Sequence, residues 1–311
     1  MPLMISKQEH VPVLLDEVVE ALNVRPGKRY VDCTLGNGGH AKAILSKCQP
    51  GGELLGIDAD PEAIALAQHN LYDYFENTVI INDNFYNLDR ICQETDFCSV
   101  DGIVFDLGLS SLQLESAERG FSFQRSGPLD MRFSPDEPLT AADIVNSMPE
   151  AELAKLILIY GEESQAYRIA RNIAQHRPIT DTAQLAALVA NTVGDRPTRI
   201  HPATRTFQAL RIAVNHELEH LSAVLEQSVN LLISGGRLVV ISYHSLEDRI
   251  VKNFMLRETR ACICPPSLPE CRCHHQPTLL LAERHPVVPT EFEIARNPRS
   301  RSAKLRVAQR I

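Results

Sequence analysis

The stretch RYVDCTLGNGGHAKAIL (29–45) reads as strand, glycine turn and helix in immediate succession. RYVDCT (29–34) is apolar and β-branched, as a buried strand requires. Gly36-Asn37-Gly38-Gly39-His40 follows, and then Ala41, Ile44 and Leu45 fall at helical spacing. A glycine turn between a strand and a helix lets the backbone approach a ligand closely and aims N–H groups at it. The spacing is Gly36-x-Gly38-Gly39, not the Gly-x-Gly-x-x-Gly of dinucleotide binders.

Working outward, GELLGID (52–58) is a second strand, and Asp60-Pro61 supplies an N-cap and a first-turn proline for a helix over AIALAQHNL. TVIIN (78–82) and VDGIVFDLG (100–108) read as third and fourth strands. Strands alternating with helices through short connections predict a parallel sheet covered by helices. The pattern then changes. Residues 114–150 are rich in Ser, Pro, Gly and charge, and 151–161, 164–176 and 182–193 read as helices with no strands between them. One long helix is expected from about Thr204 to Leu232, stopped by Ser234-Gly235-Gly236. RLVVISY (237–243) resumes the strand pattern, 246–258 is helical, and SAKLRVAQRI supplies a last strand. The organisation expected is one α/β domain, 1–113 and 213–311, interrupted by an inserted helical domain at 114–212.

Composition sets the class. At 44% hydrophobic and 23% charged, the chain has the balance of a globular protein. No apolar run reaches the roughly 18–20 residues of a membrane span, and the start lacks the features of a secretory leader, so a cytoplasmic protein without a membrane partner is expected. The net charge of −8 argues against nucleic acid, but its distribution does not. Arg168 to Arg211 holds seven arginines against two aspartates, and Arg284 to Ile311 holds six arginines and Lys304 against two glutamates. Each segment carries a local +5 that suits a phosphate-binding face or, equally, a solvated surface.

Asp58 ends the second strand twenty residues past Gly38. A carboxylate there accepts both hydroxyls of a ribose, which indicates an adenosine ligand and leaves a nicotinamide dinucleotide and S-adenosylmethionine both open. Asp32, near the end of the first strand, could pair with the ammonium of a methionine end or simply cap the turn. Asp106 ends the fourth strand and faces the same edge, where open α/β sheets bind ligands.

HVPVLLDEVV (10–19), TLGNGGH (34–40), GIDADPEA (56–63), DLGLSSLQL (106–114), ERGFSF (118–123), GPLDMR (127–132), HPATRTFQALRI (201–212), ISYHSLEDR (241–249) and NPRSRSAKLR (297–306) run nearly end to end. In that order they resemble the RsmH (MraW) family. The resemblance implies a Rossmann-like class I methyltransferase sheet and the cofactor S-adenosyl-L-methionine. It also implies methylation of the N4 amine of one cytidine in the decoding region of small-subunit (16S) ribosomal RNA. Carried over by position, it implies cofactor contacts at Gly38, Gly39, His40, Asp58, Phe85, Asp106 and Gln113. Leu112 stands where relatives often have Pro.

For transfer to an exocyclic amine, the expected acceptor of the amine hydrogen is Asp106 with the backbone carbonyls of Leu107 to Ser110. This loop lacks the prolines and aromatic that other amino-methyltransferases carry there. His244 is a second catalytic candidate, against the alternative that HSLE is a helix N-cap with its capping box. Arg199, Arg205 and Arg211 are the expected RNA contacts, and the overall acidity favours an assembled ribosomal particle over short naked RNA. The oligomeric state stays open, a homodimer included. Cys262-x-Cys264-x6-Cys271-x-Cys273-His274-His275 offers metal ligands, but C-x-C pairs converge on one tetrahedral centre less easily than C-x2-C. No metal is assigned from sequence.

Overall fold

A computed structural model of the chain describes residues 11–194, 200–265, 268 and 270–311. Seven strands, β1 (Arg29–Asp32), β2 (Glu53–Asp58), β3 (Thr78–Asn82), β4 (Val100–Asp106), β5 (Leu232–Ser242), β6 (Leu279–Leu281) and β7 (Lys304–Arg310), form one sheet. Their order is β3-β2-β1-β4-β5-β7-β6. The first five pair in parallel, with Val31 opposite Leu55 and Ile103, while β7 runs antiparallel to both β5 and β6.

Both faces of the sheet are apolar, and alternation along the strands feeds two cores. Ile103 and Phe105 of β4, with Leu238 and Val240 of β5, enter one core. Val104, Val239 and Ile241 enter the other. Each side chain so buried contributes about 1.5–3 kcal/mol. Parallel strands share a direction, so β1, β2 and β4 deliver Asp32, Asp58 and Asp106 to one edge.

The chain divides into two compact units, residues 1–108 with 220–311, and 109–219. The second has wider bounds than the 114–212 expected from composition. In the first, α1 (Leu15–Ala21) precedes β1, and α2 (Gly39–Cys48), α3 (Pro61–Asn70) and α4 (Leu88–Glu94) follow β1, β2 and β3. Asp60 caps α3 through the Glu62 N–H at 3.0 Å, with Pro61 at its start, as the sequence predicts.

The second unit contains α5 (Ser111–Glu115), α6 (Ala141–Ser147), α7 (Glu150–Gly161), α8 (Ala166–Gln175), α9 (Thr182–Val193) and α10 (Thr204–Asn215). Its core is built from Ile144, Ile157, Ile169, Leu185, Phe207 and Leu210 among others. Between α5 and α6 the chain has little regular structure and is held by polar side chains. Arg119 donates to the Arg132 and Phe133 carbonyls, both at 3.0 Å, and Arg132 forks onto Asp130 at 2.8 and 2.9 Å. α11 (Glu217–Leu231) carries the chain back to the first unit, where α12 (Ser245–Glu258) and α13 (Glu291–Arg296) complete it.

The single helix expected from Thr204 to Leu232 is two. His216 takes a left-handed conformation (φ 51°, ψ 33°) and divides α10 from α11. Buried Asn215 supplies the reason. Its Oδ1 accepts from the Phe133 N–H at 2.7 Å, and its Nδ2 donates to the Met131 carbonyl at 2.7 Å and the Arg211 carbonyl at 3.0 Å. Hydrophobic periodicity does not register such a clamp. Ser234-Gly235-Gly236 also differs from its reading as a turn. The helix stops earlier, at Leu231, and the glycines form an irregularity inside β5, where pairing with β4 jumps from Val100–Leu232 to Gly102–Arg237. Gly235, at φ 84°, absorbs the extra residues.

Asn215→Ala strands the Met131 carbonyl and the Phe133 N–H. Each buried polar group left unpaired costs about 1–3 kcal/mol, so urea denaturation is expected to show a loss of about 2–4 kcal/mol. An unchanged midpoint would mean that Asn215 does not hold this segment.

Candidate active site

The glycine turn adopts the conformation its sequence implies. Gly38 has φ 85°, a left-handed value that favours glycine, and a Cβ there would meet Leu71 at 3.1 Å. α2 therefore begins without a side-chain cap, and its first-turn N–H groups face outward from the helix start.

Backbone donors tie the turn to the neighbouring strand ends. Asp58 accepts from the Gly36 N–H at 2.7 Å and the Asp60 N–H at 2.9 Å. A carboxylate has about four acceptor sites, so it can serve the turn and a ribose together. The Asp58 carbonyl receives the Asp83 N–H at 3.0 Å and Asn82 Nδ2 at 2.9 Å, which fixes the chain leaving β3. Phe85 follows at once, half-buried, with its ring edge-to-face on Phe105 at 5.8 Å.

Asp32 is 1% exposed, its Oδ1 accepts from the Thr34 N–H at 3.1 Å, and its Oδ2 has no partner among the described residues. Burial pushes its carboxyl up to about 6; His40 pulls it down, and Asp106 and Asp58 push it further up. A carboxylate so placed is short of a cation.

Asp106 is held from three sides. Its backbone N–H donates to Thr34 Oγ1 at 2.6 Å, its Oδ1 accepts from the Tyr243 hydroxyl at 2.7 Å, and its Oδ2 lies 3.7 Å from His40 Nδ1. Tyr243 follows β5, and burial first, then Asp106, holds its hydroxyl well above the ordinary range, so it remains a donor. The sequence reading passed over Tyr243 for its neighbour His244. The available signal was that it is the last residue of the RLVVISY run, at the edge where Asp106 also ends.

His40, at the start of α2, is buried. Its Nε2 lies 3.0 Å from the Val13 carbonyl, which can only accept. The Nε2 hydrogen is thereby assigned, and Nδ1 is the nitrogen that faces Asp106.

His244 occupies the N-cap of α12. Its Nδ1 accepts from the Glu247 N–H at 3.4 Å, and Glu247 accepts from the Tyr243 and His244 N–H groups at 2.8 and 3.2 Å. The capping alternative is thus the observed one, and Glu247 also fixes the backbone that carries Tyr243.

Gln113 lies in the second unit, buried in a capping box with Ser110 at 3.1 Å. Among the expected RNA contacts, Arg205 is half-exposed, 3.6 Å from Glu163. Arg211 differs from expectation. Its guanidinium forks onto Glu217 at 2.8 and 2.9 Å and is 12% exposed, so the pair is locally neutral. Arg199 lies outside the described residues.

Sheet topology separates the two adenosine-binding classes that the sequence left open. Dinucleotide folds wind six parallel strands in the order 3-2-1-4-5-6, whereas here an antiparallel β7 is wedged between β5 and β6. The fold and its acidic edge are those of a class I S-adenosylmethionine-dependent methyltransferase. The chain belongs to the MraW methylase family, whose model it matches over residues 7–311.

Among curated relatives, the ribosomal RNA small subunit methyltransferase H of Dehalococcoides mccartyi is 58% identical over 302 residues, 97% of this chain and 86% of the relative. Its counterpart in Thermomicrobium roseum is 55% identical over 305 residues, 97% and 94% of the two chains. Of solved structures, an rRNA methylase from Streptococcus thermophilus is 14% identical with a TM-score of 0.42, covering 99% of each chain. Aeropyrum pernix fibrillarin, in complex with natively bound S-adenosyl-L-methionine, is 10% identical with a TM-score of 0.38, covering 94% of this chain and 74% of that one.

Asp32 gives a pH dependence with a defined sign. Its raised carboxyl binds a proton more firmly in the folded chain than in the unfolded one, so this group's stabilisation is lost as pH rises from about 4 to about 6. A ligand ammonium favours the ionised form, so calorimetry should find S-adenosylhomocysteine affinity falling as pH drops through about 6. Asp32→Asn should bind more weakly and flatten that profile. A wild-type profile already flat across the window would remove Asp32 from the ligand.

Proposed function

We propose that this chain methylates small-subunit (16S) ribosomal RNA at the N4 amine of one cytidine in the decoding region, with S-adenosylmethionine as donor. The observation that carries this reading is Asp106, an oriented acceptor at the end of β4 held by Tyr243 and flanked by His40. The residues suit the donor. The unpartnered Oδ2 of Asp32 matches the ammonium of its methionine end, the start of α2 suits its carboxylate, Asp58 suits the ribose, and Phe85 suits the adenine. Gly38, Gly39, His40 and Gln113 complete the set carried over from the family.

When bound, S-adenosylmethionine supplies an electrophilic methyl group on a positively charged sulfur. The chain's own task is then alignment and proton handling. The cytosine amine is a weak nucleophile, because its lone pair is delocalised into the ring, and holding it in line with the methyl carbon lowers the barrier. Asp106 accepts a hydrogen bond from the amine as positive charge grows on nitrogen. The Tyr243 hydroxyl keeps that carboxylate in place. His40 Nδ1, with its partner nitrogen committed to Val13, is positioned to receive a proton beside Asp106. His244 is assigned to the helix cap rather than to proton transfer.

The printed name of the relatives supports the substrate, and the half-exposed Arg205 supports a phosphate contact. Arg211 holds its own unit together, and Arg177 does likewise by donating to the Val145 and Met148 carbonyls. With an overall charge of −8, recognition is assigned to an assembled particle in the cytoplasm rather than to naked RNA. No helix among the described residues is long and apolar enough to cross a membrane.

Undermethylated small subunits and protein-free ribosomal RNA, each incubated with radiolabelled S-adenosylmethionine, test the substrate. Nuclease digestion should yield N4-methylcytidine from the subunits and little from free RNA. Equal labelling of both would overturn the particle requirement, and label on another atom would overturn the amine. Asp106→Ala should lower kcat at least about 100-fold, and Tyr243→Phe about 10-fold, through loss of an aimed electrostatic contact. Tyr243→Phe should retain thermal stabilisation by S-adenosylhomocysteine, whereas Asp106→Ala, which also removes an implied cofactor contact, should weaken it. A full-rate Asp106→Ala enzyme would exclude that acceptor.

A further inference from the structure

Twenty residues, 259–278, separate α12 from β6, far more than a typical connection. The ends of this loop are closed by Thr278, whose N–H donates to the Glu258 carbonyl at 2.8 Å and whose hydroxyl donates to Glu258 Oε2 at 2.6 Å. Beyond that stem the loop lacks an apolar core to fold around. Ile263 and Leu268 are exposed, and among its described residues none belongs to the three core clusters.

The loop instead brings its cysteines together. The sulfurs of Cys262, Cys264, Cys271 and Cys273 all lie within 4.8 Å of one another. Cys271 and Cys273 are 3.6 Å apart, and Cys273 and Cys262 are 3.9 Å apart. A disulfide needs about 2.05 Å, whereas four thiolates at about 2.3 Å from a tetrahedral zinc lie about 3.8 Å from each other. The backbone completes the arrangement reciprocally. The Ile263 N–H, inside the first C-x-C pair, points to Cys273 Sγ at 3.4 Å, and the Arg272 N–H, inside the second, points to Cys264 Sγ at 3.4 Å. N–H groups aimed at sulfur stabilise thiolate over thiol and orient metal ligands. The spacing that weighed against one centre in the sequence is thus overcome by two facing turns, each presenting two sulfurs.

We propose that Cys262, Cys264, Cys271 and Cys273 form a four-thiolate structural zinc site that folds the 259–278 loop. Four soft sulfur ligands in a closed tetrahedral set select zinc over harder divalent cations, and a closed set leaves no position for catalysis. Arg260 and Arg272, with His274 and His275, place positive or protonatable groups in the same loop, which suits the net negative charge of zinc with four thiolates. The site lies in a different segment from the glycine turn and from Asp106, so its test is independent of methyl transfer.

Elemental analysis of the full chain purified without chelator should find about one zinc per protein. Titration with a mercurial thiol reagent should release it in step with modification of four thiols. Cobalt(II) added to chelator-stripped protein should give the intense visible bands and thiolate charge transfer of a tetrahedral sulfur site. Limited trypsin digestion should cut after Arg260 or Arg272 in the stripped protein and much more slowly with zinc restored. The double variant Cys271→Ser, Cys273→Ser should lose the metal yet keep thermal stabilisation by S-adenosylhomocysteine, which distinguishes a local site from global misfolding. Metal-free protein with freely titrating thiols would overturn the proposal, and so would disulfides among these cysteines found by mass spectrometry.

Discussion

Three neighbouring strands of one parallel sheet end in carboxylates, Asp32, Asp58 and Asp106, and the rest of the crevice is arranged around the repulsion this creates. Burial disfavours ionisation and like charges gathered at the edge add to it; the buried Asp32 carboxyl is pushed up to about 6, by desolvation first and by Asp106 and Asp58 after it. Each of the other two is met by aimed donors. Asp58 receives two backbone N–H groups from the chain that follows its own strand and β1, and Asp106 receives the Tyr243 hydroxyl with His40 close by. The carboxylate left with an unpartnered oxygen is the one that a cationic ligand group would relieve. A binding edge that is electrostatically strained without its ligand gains selectivity for a cation-bearing adenosine over an anionic dinucleotide.

The same logic of polar satisfaction organises the second unit, where hydrophobic pattern alone leaves a long gap. Between α5 and α6 the chain is kept in place by Arg119, Arg132 and Asn215, which spend their donors on backbone carbonyls and on Asp130. Two arginines of the segment that looked like a phosphate-binding stripe prove to be partly buried and engaged within the chain. Arg177 and Arg211 are committed to carbonyls and to Glu217, while Arg205 retains half its surface. A run of positive charge in sequence overstates the positive surface wherever guanidinium groups serve as structural forks.

The fold was legible where local chemistry and tertiary demand agree. The apolar β-branched runs became β1 to β4 and the later half of β5, and Asp60-Pro61 opened α3, because burial on both faces and cap geometry leave those segments one good solution. The misreadings fall where a long-range contact overrides local preference. His216 breaks an otherwise continuous helical pattern because Asn215 reaches Met131 and Phe133, more than eighty residues away. Ser234-Gly235-Gly236 is punctuation in the sequence but an irregularity within a strand in the sheet, since β4 offers edge groups on both sides of it.

Sequence by itself determined the strand, glycine turn, helix and strand of 29–58, because the glycine turn and the acid ending the next strand are set by short-range geometry. It also supplied the ordered motifs that mark the family. It did not determine which polar groups meet. The Tyr243 hydroxyl on Asp106, the assignment of the His40 hydrogen by Val13, the withdrawal of Arg211 into an ion pair and the gathering of four cysteine sulfurs were decided by tertiary structure alone. Hydrogen bonds and metal-like clusters depend on distances of a few ångströms between residues remote in the chain. Periodicity and spacing record which residues are buried, but not which partner each one finds there.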